Sequence, residues 1–261
     1  MKKTAKSVTV AFAVNKGGTG KTTTVINTSA GLALKGYRVL AVDADQQANL
    51  TNTFLSEPPQ KSLYDSIIDE SVPLPVVEVR DNLDVVPASA MMYGISAQMI
   101  LRSQNTQRDY RQALSRLLAS IRDEYDFVLI DCPPADNAMM INALYSANTV
   151  VIPVKPEAFA MDGCHQMCEI IRAVQRQHHP LKLTGVVFCD VDSYSRAHQE
   201  EIKSIRQIGP NHVFDTVIRH SRHLYNAAKA QKDIFTHAML SNGGQDYLKF
   251  CDEFVRKIEK L

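Results

Sequence analysis

The chain has 261 residues, 45% of them hydrophobic and 22% charged, with a formal net charge of +1. That length and balance suit a globular chain with a substantial core and exclude a disordered one. The near-neutral charge excludes a global basic field, so any nucleic-acid binding must come from a local patch or from doubling a patch in paired subunits.

The N-terminus, MKKTAKSVTVAFAVNKGG, begins with lysines and then an apolar stretch, as a secretory leader does. Its Val8, Val10, Phe12 and Val14 alternate, and it runs without a small-residue cleavage site into a glycine-rich loop, so a first strand is expected over 8–14. The loop KGGTGKTT at 16–23 leads into a helix expected over 21–35. Gly17, Gly18 and Gly20 let backbone amides converge on phosphate oxygens, Lys21 suits the β and γ phosphates, and the Thr22 hydroxyl suits Mg²⁺ at the helix start. The strict phosphate-loop pattern asks for glycine at 15, where this chain has Asn15. A glycine-rich turn without a ligand is the alternative.

A second strand over 38–42 delivers Asp43 and Asp45 to its C-terminal end, inside VLAVDADQQANLT at 39–51. Alternation puts both carboxylates on one side of an extended segment, where one could face a γ-phosphate and an attacking water. The alternative is a pair that caps a helix. EPPQ at 57–60 and VPLP at 72–75 mark irregular structure or short helices. A strand over 83–86 and a helix over 107–123 come next. The strand at 126–130 lies in DFVLIDCPPA, 126–135, and ends at Asp131, a residue type and position suited to holding a Mg²⁺ water beside the loop.

Helices over 137–147, 158–178, 196–208, 222–231 and 244–260, with strands over 149–154 and 184–189, complete the alternation. The pattern predicts one α/β domain over 1–261, a doubly wound, mostly parallel sheet with helices on both faces and its ligand at the C-terminal strand ends. No linker is visible, neither end has room for a helix-turn-helix module, and no apolar run reaches the roughly 18 residues of a membrane span. An odd number of cysteines, five, points to reduced thiols in a cytoplasm. Cys164 and Cys168, one helical turn apart around His165, would need further ligands to hold a metal.

The loop, with Lys16 five positions before Lys21, resembles the ParA/MinD family of deviant Walker-type P-loop ATPases, most closely its short, Soj-like ParA members. The Asp43–Asn49 segment is similar to that family's second motif, with Gln46 in place of a proline and Gln47 and Asn49 retained. IPVKPEAFAMDG at 152–163 resembles the entry to the family's interface helix, and VVFCDVDSYSR at 186–196 the strand near the adenine, where Asp190 or Asp192 could lie. The resemblance implies a Mg²⁺-dependent ATPase that binds nucleotide through Lys16, Gly17, Gly18, Thr19, Gly20, Lys21, Thr22 and Thr23. Lys16, Lys21 and Asp45 would be catalytic, Lys16 by reaching across a dimer and Asp45 by placing the water. Thr22 would ligate the metal, with Asp43 and Asp131 acting through water.

The segment TVIRHSRHLYNAAKAQKDIF at 216–235 is the most basic stretch and resembles the part of ParA proteins where an arginine precedes a helix. Arg219, Arg222, Lys229 and Lys232, doubled in an ATP-linked homodimer, would bind DNA without sequence preference. A solvated basic face is the alternative. The implied role is partition of a plasmid or chromosome on the nucleoid of a bacterial cytoplasm, with hydrolysis stimulated by a ParB-like centromere-binding protein. A MinD-like membrane-positioning ATPase is the second reading, since YLKFCDEFVRKIEKL has apolar residues at helical spacing. Asp252, Glu253 and Glu259 oppose an anionic surface, so a docked helix without stable membrane insertion is expected. A nitrogenase-reductase-like cluster lacks a second cysteine to match Cys132. A small-molecule phosphotransferase is the third class.

Overall fold

The computed structural model describes residues 6–134, 138–177 and 179–261. Residues 1–5, Ala135 of the DFVLIDCPPA segment, and the expected helix ends at 137 and 178 lie outside the described residues.

Seven strands form one sheet: β1 Val8–Phe12, β2 Val39–Asp43, β3 Val77–Arg80, β4 Leu83–Val86, β5 Phe127–Asp131, β6 Thr149–Val154 and β7 Lys182–Phe188. Their order is β3-β4-β2-β5-β1-β6-β7, and every pairing is parallel except β3 with β4. The central strands read as continuous apolar runs because helices cover both of their faces. Side chains alternate between two cores: Val10, Phe12, Phe127 and Leu129 face one, Ala11, Val128 and Ile130 the other. The register sets Phe12 and Asp43 level with Asp131. Two carboxylates thus share the C-terminal edge beside the end of β1.

The first core is covered by α1 Lys21–Leu34, α2 Asn49–Phe54, α9 Arg222–Lys229, α10 Ile234–Ala238 and α11 Asn242–Ile258. The second lies beneath α3 Leu63–Ile68, α4 Ile95–Thr106, α5 Ala113–Leu118, α6 Ala138–Ser146, α7 Ala160–Arg176 and α8 Arg196–Ile208. The expected helix over 107–123 is broken. Asp109 accepts a hydrogen bond from Arg111 N at 3.0 Å and starts a 3₁₀ turn at Tyr110–Gln112; α5 and a second 3₁₀ turn at Arg122–Glu124 follow. Among the described side chains of α4, Ile95 and Met99 enter the core, too few to mark a helical period in the sequence. The edge strand β3, VEVR, is only partly buried, and a two-residue turn with Asn82 at φ 64° joins it to β4.

The opposite edge is closed by chain. Phe214 N donates to Val186 O at 2.9 Å and Ile218 N to Phe188 O at 2.8 Å, laying residues 213–219 along β7. The apolar stripe of α11 is used in the fold: Tyr247, Phe250, Cys251 and Phe254 are buried, and Phe254 packs on Phe12 and Phe127 with ring centroids 6.3 and 5.6 Å apart. Among the described residues no helix is long and apolar enough to cross a membrane.

Candidate nucleotide-binding site

The chain leaves β1, turns through residues 13–20 and enters α1 at Lys21. The turn needs glycine at two points, since Gly18 and Gly20 have φ of 74° and 88°, where a Cβ is strained. Gly20 caps α1 without a side chain, so the first-turn amides are left to whatever sits at the helix terminus. A cavity of about 550 Å³ opens there. It is lined by residues 16–23, by Asp45, Gln47 and Asn49, and by Cys189, Asp190, Ile218, His220, Ser221 and Tyr225.

Lys21 is 6% exposed, and its Nζ lies 3.6 Å from Asp131 Oδ1. Asp131 is fully buried, and among the described residues neither carboxylate oxygen has a close hydrogen-bond partner, with Lys21 and Thr22 as its polar neighbours. Such a carboxylate calls for a cation or an ordered water. Thr22 lines the cavity at the start of α1, so Thr22 and Asp131 fit a Mg²⁺ held mainly by phosphate and water oxygens. Thr19 Oγ1 is also buried without a partner. Asp43 is differently placed: its carboxylate accepts from Thr51 N at 2.8 Å, Thr51 Oγ1 at 2.6 Å and Asp45 N at 3.2 Å. It braces the turn that carries Asp45. Asp45 is 5% exposed, and its Oδ1 accepts from Gln47 N at 3.0 Å. Lys16 stands exposed at the mouth, its Nζ 3.5 Å from Ala158 O.

Burial raises the pKa of both strand-end aspartates. Asp43 is pushed to about 7 by burial and by the Asp131 charge, against its Thr51 hydrogen bonds. Asp131 is also raised by burial, with the Lys21 ammonium pulling it back. The fold thus favours the protonated acids, so their stabilising contribution is complete below the unfolded value and is lost as pH rises to the folded one. In nucleotide-free solution the melting temperature of the wild type, taken relative to Asp43→Asn so that the other carboxylates cancel, is expected to fall as pH climbs from 3.8 to about 7. Calorimetry of both proteins at a series of pH values checks this, and a difference that stays constant or rises through that window would refute it.

Lys155, His220 and Tyr247 also line the cavity, a place that no sequence signal gave them. Thr24 Oγ1 donates to Gly20 O at 2.7 Å and meets the Tyr247 hydroxyl at 3.2 Å. Asp190, at φ 58°, bridges Lys155 Nζ at 2.8 Å and His220 Nδ1 at 2.7 Å. Burial raises its pKa, but the Lys155 and His220 hydrogen bonds outweigh that and hold the carboxyl below its usual range. Asp192, the other residue considered for this region, donates its backbone N to His198 Nδ1 and accepts from Tyr194 N.

The four basic residues of 216–235 divide. Arg222, Lys229 and Lys232 are exposed, and α9 turns Leu224, Tyr225 and Ala228 toward the cavity. Arg219 is pinned: its Nε and Nη2 donate to Asp246 at 2.9 and 2.7 Å, leaving the side chain 43% exposed. The five thiols are free, and burial pushes Cys164 up to about 12. Among the described residues no group of three or more His, Cys, Asp or Glu side chains is placed to hold a metal by itself, so Cys164, His165 and Cys168 gain no further ligand.

Comparison with known proteins agrees with this geometry. A family model described as an AAA domain matches residues 7–183. The sporulation initiation inhibitor protein Soj of Bacillus subtilis is 32% identical over 249 residues, covering 94% of this chain and 96% of that protein. The chromosome partitioning protein ParA of Caulobacter vibrioides is 34% identical over 258 residues, covering 95% and 94%. Among solved structures, cobyrinic acid a,c-diamide synthase from Mycobacterium smegmatis with bound ADP and magnesium superposes with a TM-score of 0.82 at 27% identity, covering 97% of this chain and 96% of that one. With a glycine loop on a parallel sheet, a buried strand-end aspartate behind its lysine and relatives aligned over nearly their whole length, this chain belongs to the ParA/MinD family of P-loop ATPases.

Proposed function

We propose that the chain is a partition ATPase of the ParA type: one catalytic domain over 1–261 that pairs on ATP, binds DNA without sequence preference in that state, and is released by hydrolysis. The observation that carries this reading is α9, which lines the nucleotide cavity with Leu224, Tyr225 and Ala228 while Arg222 and Lys229 stay in solvent. One short helix thus touches both the nucleotide site and the basic surface, so nucleotide occupancy has a direct route to DNA affinity.

In the proposed cycle the amides of residues 17–23 and the Lys21 ammonium hold the triphosphate. A bound Mg²⁺ supplies charge neutralisation across the β and γ phosphates, with Thr22 and Asp131 as the residues to hold it. Asp45 orients the water whose oxygen attacks the γ phosphorus; the bond to the β–γ bridging oxygen breaks, and ADP and phosphate leave. Asp43 acts by holding Asp45. Lys16 is exposed, its Nζ 3.5 Å from the Ala158 carbonyl as its one hydrogen bond among the described residues, a position from which it would reach a second subunit's nucleotide. A ParB-like protein on the cargo would accelerate hydrolysis, and the cycle would run on the nucleoid of a bacterial cytoplasm.

The MinD-like alternative relied on the C-terminal helix, and burial of Tyr247, Phe250 and Phe254 removes the face that would enter lipid. The test is co-sedimentation with DNA and with anionic liposomes, each with ATP and with ADP. DNA binding that requires ATP, with no liposome binding, is the expected result; liposome binding alone would favour the alternative. A small-molecule phosphotransferase would bind neither.

Among the basic residues, Arg222→Ala with Lys229→Ala is the clean variant pair, since neither side chain is held by the core. DNA affinity is expected to fall at every sequence tested, with the log–log salt slope lowered by roughly one for each phosphate contact removed. An unchanged slope measured by fluorescence anisotropy would place the DNA surface elsewhere.

A further inference from the structure

The C-terminal helix α11 lines the nucleotide cavity with Tyr247 and holds the 215–221 segment that forms part of its wall. At the phosphate end its Tyr247 hydroxyl meets Thr24 Oγ1 at 3.2 Å, and Thr24 reaches the Gly20 carbonyl at 2.7 Å, just before α1. One residue earlier, Asp246, 4% exposed, accepts three hydrogen bonds from Arg219: from N at 3.0 Å, Nε at 2.9 Å and Nη2 at 2.7 Å. Glu253 accepts from Asp215 N and Thr216 N at 2.7 and 2.8 Å, and Asn242 Nδ2 donates to His220 O at 3.1 Å.

The segment fastened in this way, 215–221, supplies Ile218, His220 and Ser221 to the cavity wall. Ser221 Oγ, buried without a hydrogen-bond partner among the described residues, lies against Gly243 of α11, where the wall and that helix pack closely. Because a helix N-terminus takes the phosphates, the opposite wall is left for the nucleoside. The two walls come from sequence far apart, and adjacent residues of α11 hold them both.

We propose that Asp246 is a positioning residue for the nucleoside half of the ATP site, fixing the 215–221 wall, through Arg219, at a set distance from the phosphate loop that Tyr247 braces. This rests on the reading of the cavity as an ATP site. The bonds to Arg219 are charge-assisted and made by a buried carboxylate, so they are geometrically demanding and strong. Neutralising Asp246 loosens the wall at Arg219, beyond the reach of the Glu253 bonds to Asp215 and Thr216, while Tyr247, Thr24 and the phosphate loop keep their contacts. The effect is therefore confined to ligands that carry a nucleoside. Arg219 takes its place in this clamp, and its share of the basic surface is limited to what remains exposed.

The test uses the full chain and two probes with Mg²⁺, ATP and inorganic tripolyphosphate, measured by calorimetry, together with steady-state hydrolysis. Asp246→Asn is expected to weaken ATP about tenfold, leave tripolyphosphate unchanged, and raise KM with kcat retained. Asp246→Glu should restore most of the ATP affinity. Arg219→Gln, made at a half-exposed side chain, opens the same clamp from its other side and should reproduce the selective loss. The double variant should be no worse than either single one. Equal weakening of both probes, or ATP affinity unchanged in Arg219→Gln, would overturn the proposal. A wild-type chain that bound neither probe would instead overturn the ATP-site reading itself.

Discussion

Lys21→Ala should abolish measurable ATP turnover and lower ATP affinity by roughly 10²–10³-fold. The ammonium is 6% exposed, lies at the phosphate end of the cavity and faces a buried carboxylate. Removing one partner of a buried, charge-paired arrangement costs about 3–4 kcal/mol at the lower end of its range, which is two to three decades in binding. A second consequence follows from the same geometry. Without Lys21 the Asp131 carboxylate has no cation beside it, so the nucleotide-free variant is also expected to be less stable near neutral pH. Thermal shift checks both at once: the wild type should gain about 5–10 °C at a hundredfold excess of ATP over Kd, and the variant almost nothing. A variant that kept the ATP-dependent shift would remove Lys21 from the phosphate site.

Asp45→Ala should separate binding from turnover. Asp45 stands beside the cavity on a turn braced by Asp43, and its local hydrogen bond goes to Gln47 N, not to the phosphate loop. Its removal leaves the glycine loop, Lys21 and Asp131 in place. ATP binding is expected to survive, while kcat falls by about 10²–10⁴-fold, the usual share of a positioned carboxylate in proton handling. Sedimentation with ATP should then show a persistent two-subunit species. If phosphate release were unchanged, another residue would orient the water. A variant that stayed monomeric with saturating ATP would sink the proposed reach of Lys16 across a dimer.

The parts of the site written in local chemistry were readable from sequence. A left-handed turn at Gly18 and Gly20, a lysine opening α1 and an aspartate ending β5 are each set by residues within a few positions of one another. The central strands were readable for a similar reason, because burial on both faces leaves an apolar signature with no alternation to confuse it. What escaped is what depends on distant partners. Tyr247 reaches Thr24 across 223 positions, and Asp246 reaches Arg219 across 27. Arg219 read as one more cation in a basic stretch because nothing local marks a carboxylate waiting in another helix. The edge strand β3 is short and half in solvent, and α4 commits Ile95 and Met99 of its described side chains to the core, so neither carries a strong period. The break within 107–123 comes from one capping side chain, Asp109, whose choice between helix and turn is settled by neighbours.

The two sheet edges carry a further meaning. On one side, residues 213–219 occupy the hydrogen-bonding margin of β7; on the other, β3 offers only four residues between Pro75 and the turn at Asn82. Backbone margins are the usual route by which copies of a β-rich protein polymerise irreversibly. Here that route is shut at one end and too short at the other to seed a fibril. Any crowding of this protein on a shared surface therefore leaves self-association to side-chain faces, which can part again. Local accumulation is thus compatible with repeated dispersal, because the fold provides no ready sink from which subunits fail to return.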